Sequence, residues 1–390
     1  MDTFEISFVD SIAEIGKEAW NELAGMDNPF TRYEFLHALE QSGCTTVATG
    51  WAPHHVAVYA VKRNKSEASR TLQAIMPLYL KTNSWGEYVF DWSWANAYKN
   101  YGFEYYPKFV SAIPFTPSVG HRLFVREPES RVRFTKLIHD KVIEEAELIG
   151  ASSWHILFPT ADEHDDFERL GISSRIGSQF HWYNKGYESF DDFLNALNSR
   201  KRKSIRKERQ NVREQNIRFK ISEGGEIDEH QWRNFTRFYE STYMMRGMQG
   251  YLNQEFFQIL SSTMPEKLFM ISAEQDGKDI AAALFFKSSD TLFGRYWGSA
   301  RDQQFLHFET CYYQGQDYCI ERGLKSFDSG AQGEHKIQRG FEPIVTHSNH
   351  WIGNKGFADA IENFLKEERP HIKHYIQQAR SLLPYKNKSG

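Results

Sequence analysis

Two stretches of the sequence, about 200 residues apart, run through the same succession of elements. A period that long means a duplicated domain rather than a solenoid. One begins at Asn28-Pro29-Phe30-Thr31-Arg32-Tyr33-Glu34-Phe35-Leu36, the other at Tyr251-Leu252-Asn253-Gln254-Glu255-Phe256-Phe257. Each opens a helical spacing behind a turn residue. A strand pattern follows in each, His55 to Ala60 and Leu268 to Ala273, and then a second one, Ala74 to Tyr79 and Ala281 to Phe286. The third members are aromatic: Phe90 to Ala95 within a strand expected over Tyr88 to Trp94, and Phe293 to Ser299. Helices mixed with mostly antiparallel strands give an α/β fold in two copies. With 390 residues the chain exceeds one ordinary core. We expect a first domain over 1–185 and a second over 186–390, opened by a basic helix at 189–216.

The second copy ends in the stretch that gathers chemistry. Phe305 to Ile320 has helical periodicity, Gly323 suits a helix C-cap, and Lys325 to Asp328 reads as a short strand. Beyond it, Gly330, Gly333 and Gly340 bracket Asp328, Glu334, His335, Lys336 and Arg339. Polar side chains on a loop at a strand end are a common way to build a site. Further back, Arg200, Lys201, Arg202, Lys203, Arg206, Lys207, Arg209 and Arg213 crowd one helix with Glu208 as the opposing acid at its centre. Arg202, Arg206, Arg209 and Arg213 fall along one side at helical spacing. Such a face is either solvated or made for an anion.

The whole chain carries a net charge of only -4, so any affinity for nucleic acid must be local. Cys44, Cys311 and Cys319 form no C-x-x-C pair, which argues against a disulfide framework or structural zinc. His54-His55 and His347 with His350 lack a matching carboxylate or Cys pattern, so no metal site is expected. Neither a signal-like apolar run nor a membrane-length one is seen, and the expectation is a cytoplasmic protein without a membrane segment. Aromatic residues are abundant, with 30 Phe, 19 Tyr and 10 Trp, enough for grooves as well as cores.

Tyr296-Trp297-Gly298-Ser299, then Glu321-Arg322-Gly323-Leu324-Lys325-Ser326-Phe327-Asp328-Ser329-Gly330, then Gly333-Glu334-His335-Lys336-Ile337-Gln338-Arg339-Gly340-Phe341 carry a resemblance. Together with Gly86 to Ala95 and Pro114-Phe115-Thr116-Pro117, they resemble the Fem-like branch of the Gcn5-related N-acyltransferase (GNAT) superfamily, in its peptidogalycan biosynthesis/recognition subfamily. The resemblance covers nearly the whole chain. It implies a tandem GNAT-like fold that moves an acyl or aminoacyl group to an amine. The donor it implies is aminoacyl-tRNA or acyl-CoA, with no bound cofactor, and the acceptor a small molecule or cell-wall precursor. Two departures stand out. The loop Ser299-Ala300-Arg301-Asp302-Gln303-Gln304-Phe305 lacks the glycines with which acyl-CoA relatives cradle a pyrophosphate. His335-Lys336 and Gly340-Phe341-Glu342 stand where Fem enzymes often carry Phe-Lys and Gly-Phe-Gly, which leaves the acceptor open.

Acyl transfer needs a base for the amine, a donor for the oxyanion and a proton for the leaving group. His335 and Glu334 are the candidate bases. Lys336 and Arg339 are candidate stabilisers, Asp328 a residue to orient base or acceptor, and Glu309 a further catalytic candidate. Tyr296, His307 and Asp91 are candidate substrate contacts, and Arg202, Arg206 and Arg209 candidates for an anionic donor such as tRNA. A binding module for an anionic glycan or cell-wall fragment, without chemistry, is the alternative.

Overall fold

The computed structural model describes residues 3–63, 68–245, 247–331 and 333–386. By contact the chain forms two units, neither contiguous in sequence. The first takes the chain up to Met26, Phe30–Gly177 and Val345–Lys373; the second takes Asp27–Pro29, Ser178–Ile344 and the chain from His374 on. An even split at 185 would have given residues 345–373 to the second copy. They pack with the first because Ser348 to Ile352 pair antiparallel with Ser153–Leu157. The helix Lys355–Ser381 also buries Ile361 and Leu365 beside Trp94 and Tyr98. Pro370 does not interrupt that helix.

The first unit has a four-stranded antiparallel sheet in the order Thr3–Val9, His55–Arg63, Ala68–Met76, Phe124–Val125. A second set of strands includes Ser153–Leu157, Lys108–Ser111, Tyr79–Lys81 and Trp51–Pro53. Lys108–Ser111 runs parallel to Ser153–Leu157, and the helix Arg131–Ile149 connects them. Phe134, Ile138, Val142 and Ala146 recur at four-residue spacing and pack with Val56, Ala74, Trp154 and Ile156.

The expected aromatic strand at Tyr88 to Trp94 is instead a turn followed by the helix Trp92–Asn100. Tyr88 at φ 61 and Gly86 at φ 80 break the extended backbone. Trp94 and Tyr98, four apart, then bury as a helical stripe among Ile352, Ile361 and Leu365. Period-two aromatics were present, but packing decided. Lys108–Ser111, not this segment, is the counterpart of Thr291–Ser299, since each leads through a helix into a parallel strand.

In the second unit the strand order is Arg218–Glu223, Leu268–Gln275, Lys278–Lys287, Thr291–Ser299, Ser326–Asp328 and then residues 178–183. Asp276-Gly277, both at positive φ, make the tight hairpin between the second and third of these. The region 189–216 is two helices, Phe190–Ala196 and Ser199–Glu214. Leu197 is extended, and the Asn198 side chain accepts from the Lys201 N–H to start the second. That basic helix buries only Ile205 and Val212. The helix Glu229–Met244, started by a reciprocal Asp228–Gln231 capping box, crosses the central strand at Gly298. Among the described residues no helix is long and apolar enough to cross a membrane.

Candidate active site

The strand Thr291–Ser299 carries one extra residue against its neighbour: Leu284 pairs with Tyr296 and Phe285 with Gly294, so Arg295 is bulged out. On its other side it pairs in parallel with Ser326–Asp328 only through Thr291, Leu292 and Phe293. Past that point lies a cavity of about 90 Å³. Arg295, Tyr296 and Trp297 line it from the strand, Ser329 from the loop, and His307, Cys311 and Tyr312 from the helix at 306–321.

The bulge delivers Arg295 to the end of the short strand. Its Nη2 donates to Asp328 Oδ2 at 2.6 Å and its Nη1 to Oδ1 at 3.1 Å, both side chains being 2% exposed. The Gly330 N–H adds a bond to Oδ1 at 2.9 Å. Burial alone would raise the Asp328 pKa, but Arg295, with His181, holds it well below the usual carboxylate range. Asp328 thus pins the strand end.

Lys336 is buried one turn further on, and its ammonium donates to the Ser329 and Gly330 carbonyls at 2.9 Å each. Burial brings it down to about 8, against the pull of Asp328. It shapes the loop. His335 Nε2 lies 2.9 Å from the Tyr312 hydroxyl. Burial, then the charges of Arg339 and Lys336, lower the His335 pKa, so the ring is neutral at pH 7. Burial raises the Tyr312 phenol, which stays protonated. The pair joins Tyr312, which lines the smaller cavity, to an imidazole that, with Glu334, Gln338 and Tyr375, lines a second one of about 560 Å³. Glu334 accepts from the Tyr375 hydroxyl there at 3.0 Å. Arg339 is spent internally: it donates to Glu208 Oε2 at 2.9 Å and to the His335 carbonyl at 2.8 Å, its guanidinium 3.4 Å from the Phe308 ring centre.

The FemAB_like family, described as peptidogalycan biosynthesis/recognition, matches residues 11–387. The chain belongs to the FemAB-like family. Among solved structures it is similar to FemX, with a TM-score of 0.53 at 12% identity over 92% of this chain and 100% of that one. It is also similar to L-PGS from Bacillus licheniformis, with a TM-score of 0.52 at 10% identity over 93% of this chain and 98% of that one. A third is the C-terminal domain of a putative lysylphosphatidylglycerol synthetase from Agrobacterium fabrum, with a TM-score of 0.53 at 10% identity over 90% and 96%. These likenesses show the fold, a mixed α/β architecture shared over nearly the whole chain. No curated protein sequence matches the chain.

The remaining site candidates of this FemAB-like chain fall in three places. Glu309 is buried and takes a bidentate contact from Arg209, whose Nη2 also donates to Asp317 at 2.6 Å. Burial raises the Glu309 pKa, and Arg209 opposes it. Arg209 was expected on the anion-binding face; it packs against Phe190 and pairs with Glu309, and with Phe190, Arg206 and Arg213 it lines a groove. Arg206 pairs with Asp191 at the surface. Arg202, with Lys201, Lys203 and Lys207, makes no side-chain hydrogen bond or ion pair among the described residues. Asp91 lies in the first unit, at the start of the helix Trp92–Asn100, bonded to Lys108 and to the Tyr105 hydroxyl. It is a buried ion-pair residue there.

His164, Asp165 and Glu168 are the described residues that bring potential metal-ligand atoms within 4.8 Å of one another. Both ring nitrogens of His164 are already engaged, by Asn349 and Ser174. Sequence reading missed Tyr312, Cys311 and Ser329. The signal for Tyr312 was faint: a tyrosine pair inside a helical run reads as core, and Tyr312 turns to the cavity through a π-helical segment, Glu309–Tyr313.

Proposed function

We propose that this chain is an N-acyltransferase that moves a small acyl or aminoacyl group from an ester donor to an amine, acting on a cell-wall precursor. The observation that carries the reading is the His335–Tyr312 hydrogen bond, which links a residue lining the cavity beside the diverging strands to an imidazole. The amine attacks the ester carbonyl, forming C–N and breaking C–O. Neutral His335 takes the proton the amine loses, and Tyr312 supplies one to the departing oxygen. The bond between them lets the proton pass from one to the other, so none is gained or lost by the protein. Burial holds the Cys311 thiol far above its ordinary pKa, which favours direct attack over an acyl-cysteine intermediate. A cavity of about 90 Å³ admits a few heavy atoms, against the roughly 10–15 Å³ that one water needs, and so a small acyl group.

The donor loop supports aminoacyl-tRNA over acyl-CoA. Phe305, not glycine, takes the left-handed conformation before the helix, at φ 65. Gln275 holds Arg301 and Gln303 at 2.9 Å each, so the loop is fixed without a glycine cradle. Recognition without chemistry, which the family's description also covers, is a second reading, and the inward pairing of Asp328, Glu309 and Arg339 favours it.

Transfer from a mixed aminoacyl-tRNA pool to a lysine-containing muramyl peptide decides between them. Tyr312→Phe and His335→Gln should each cut turnover about 10²-fold or more. In the wild type, activity should fall with acid through a pKa below the ordinary 6.5 of histidine, as the ring gains a proton and ceases to be a base. His335→Gln should lose that limb. Turnover unchanged in both variants would remove the assignment, and ligand binding with no turnover from any donor would establish the recognition reading.

A further inference from the structure

Two buried lysines face each other across the antiparallel pair formed by Tyr79–Lys81 and Lys108–Ser111, where Lys81 stands opposite Lys108. Both are 0% exposed. Their circumstances differ. The Lys108 ammonium donates to Glu87 Oε2 and Ser84 Oγ at 2.9 Å each and pairs with Asp91. The Lys81 ammonium makes no ion pair among the described residues. It donates to Asn83 Oδ1 at 3.3 Å and to the Trp85 carbonyl at 3.2 Å, and lies 3.8 Å from the centre of the Trp51 ring. A buried ammonium without a counter-ion is costly to keep charged. A second cation beside it makes the proton easier still to lose.

Both acceptors belong to the turn 82–91, which joins the strand Tyr79–Lys81 to the helix Trp92–Asn100. Asn83 Oδ1 also takes the Trp85 N–H at 3.0 Å, so the lysine, the amide and the peptide group form one brace. Trp51 Nε1 adds a bond to the same carbonyl at 3.0 Å. Gly86 at φ 80 and Tyr88 at φ 61 bend the backbone just past it. The turn carries the exposed side chains of Trp85 and Phe90, and Trp85 rests against Trp92 with ring centres 4.9 Å apart. A charged N–H donor holds its acceptor about twice as strongly as a neutral one. How firmly the turn is held thus depends on the proton carried by Lys81.

We propose that Lys81 is a proton-operated brace in the first unit. With the proton on, its ammonium fastens the Trp85 carbonyl and Asn83; with the proton off, the turn 82–91 slackens and Trp85 parts from Trp92. The charged groups that face Lys81 are Glu87 from the turn, Asp91 from the start of the helix and Lys108 from the neighbouring strand. Burial brings Lys81 down to about 7; Glu87 opposes this, Lys108 adds to it and Asp91 opposes it. Burial likewise pushes Glu87 up to about 7, against Lys108. It would raise Asp91 too, but Lys108, with His155, holds that carboxylate down. The Tyr105 hydroxyl bonds both Asp91 and His155, and His155 meets His350. Burial raises the phenols of Tyr105 and Tyr106 and lowers both imidazoles, so these four stay neutral around pH 7. The brace is tight in acid and slack in alkali. It shares no residue with the His335–Tyr312 pair of the second unit, so the proposed function stands or falls without it.

The full chain labelled with 5-fluorotryptophan reports the state of Trp85 by fluorine NMR, its resonance being the one absent from Trp85→Phe. From about pH 5 to about pH 9 this resonance should move, with a midpoint of about 7. Lys81→Met should hold it near its alkaline position throughout. Glu87→Gln should move the midpoint to lower pH, because a charge that favours the ammonium is gone. Melting gives a second reading. The native Lys81 value lies below the unfolded one, so its charge costs stability below about 7, and the cost is lifted as pH rises toward the ordinary 10.5. Lys81→Met should melt at least about 2 °C above the wild type at pH 6, with the gap closing toward pH 9. A Trp85 resonance that does not move, or that moves alike in Lys81→Met, overturns the proposal. So does a midpoint raised by Glu87→Gln, or a melting gap that is the same at both pH values.

Discussion

Asp328 shows what a sequence reading of one residue can and cannot reach. Its position at a strand end among glycines was legible, and so was the crowd of ionisable groups that follows it. Its partner was not, because Arg295 reaches it through a bulge and from 33 residues away in sequence. Taking Arg295 out should therefore be costly: Arg295→Met leaves a fully buried carboxylate without its counter-charge, worth roughly 3–5 kcal/mol of stability. The sign with pH follows from the depressed Asp328 pKa. In the wild type this carboxylate contributes stability above its unfolded pKa, and the contribution is lost as pH falls through the folded value. The variant has nothing of the kind to lose. Urea unfolding of both proteins should show a wide gap at pH 7 that narrows toward pH 3. An equal gap at both pH values would mean that Arg295 acts through packing and not through charge. His335, by contrast, was a candidate on residue type and resemblance, and its link to Tyr312 required coordinates.

At the scale of elements, patterns with a strong period survived and ambiguous ones did not. The Asp276-Gly277 hairpin, the helix Arg131–Ile149 and the capped helix Glu229–Met244 follow local rules and were readable. The segment at Tyr88 to Trp94 satisfied two periods at once, and the burial of Trp94 and Tyr98 selected the helix. The basic region at 189–216 was read as one helix because charge masks a break, which Leu197 and the Asn198 cap supply. Gly298 marks another feature that spacing conceals. A Cβ there would sit 2.1 Å from the Phe238 carbonyl carbon, a backbone atom that cannot step aside. The glycine lets the helix Glu229–Met244 lie directly on the central strand. Gly298→Ala should push the helix off the sheet, lower stability by roughly 1–3 kcal/mol and disturb Tyr296 at the cavity wall. Thermal unfolding of this variant against Gly294→Ala is the comparison. At Gly294 the nearest atoms to an added Cβ are the Phe327 and Phe285 rings at 3.2 and 3.3 Å, a milder conflict. A Gly298→Ala protein that melts with or above Gly294→Ala would show that the helix has room.

The whole molecule is acidic by four charges, yet its basic residues are unevenly spent. Arg209 and Arg339 are consumed in buried pairs with Glu309, Asp317 and Glu208. Arg206 is matched by Asp191. In the helix Ser199–Glu214, Arg200, Lys201, Arg202, Lys203 and Lys207, from its start to its middle, and Arg213 near its end make no side-chain hydrogen bond or ion pair among the described residues. This cationic surface lacks Arg209, which the sequence spacing placed on it, because the spacing could not tell an inward guanidinium from an outward one. If it holds the phosphates of an aminoacyl-tRNA, each lost contact should reduce the slope of log affinity against log salt by about 0.7–0.9. Arg202→Glu, Lys203→Glu and Lys207→Glu together should then flatten the salt dependence by two to three units of slope, on the order of three contacts, and nearly abolish binding near physiological salt. Arg209→Ala makes the informative control. It should leave that slope unchanged and instead lower the melting temperature, since it strands Glu309 in the interior. A filter-binding series over a range of potassium concentrations reads both. If Arg209→Ala reduces the slope while the triple variant does not, RNA reaches the protein along the groove lined by Phe190, Arg206, Arg209 and Arg213, and the outer face of the helix is merely solvated.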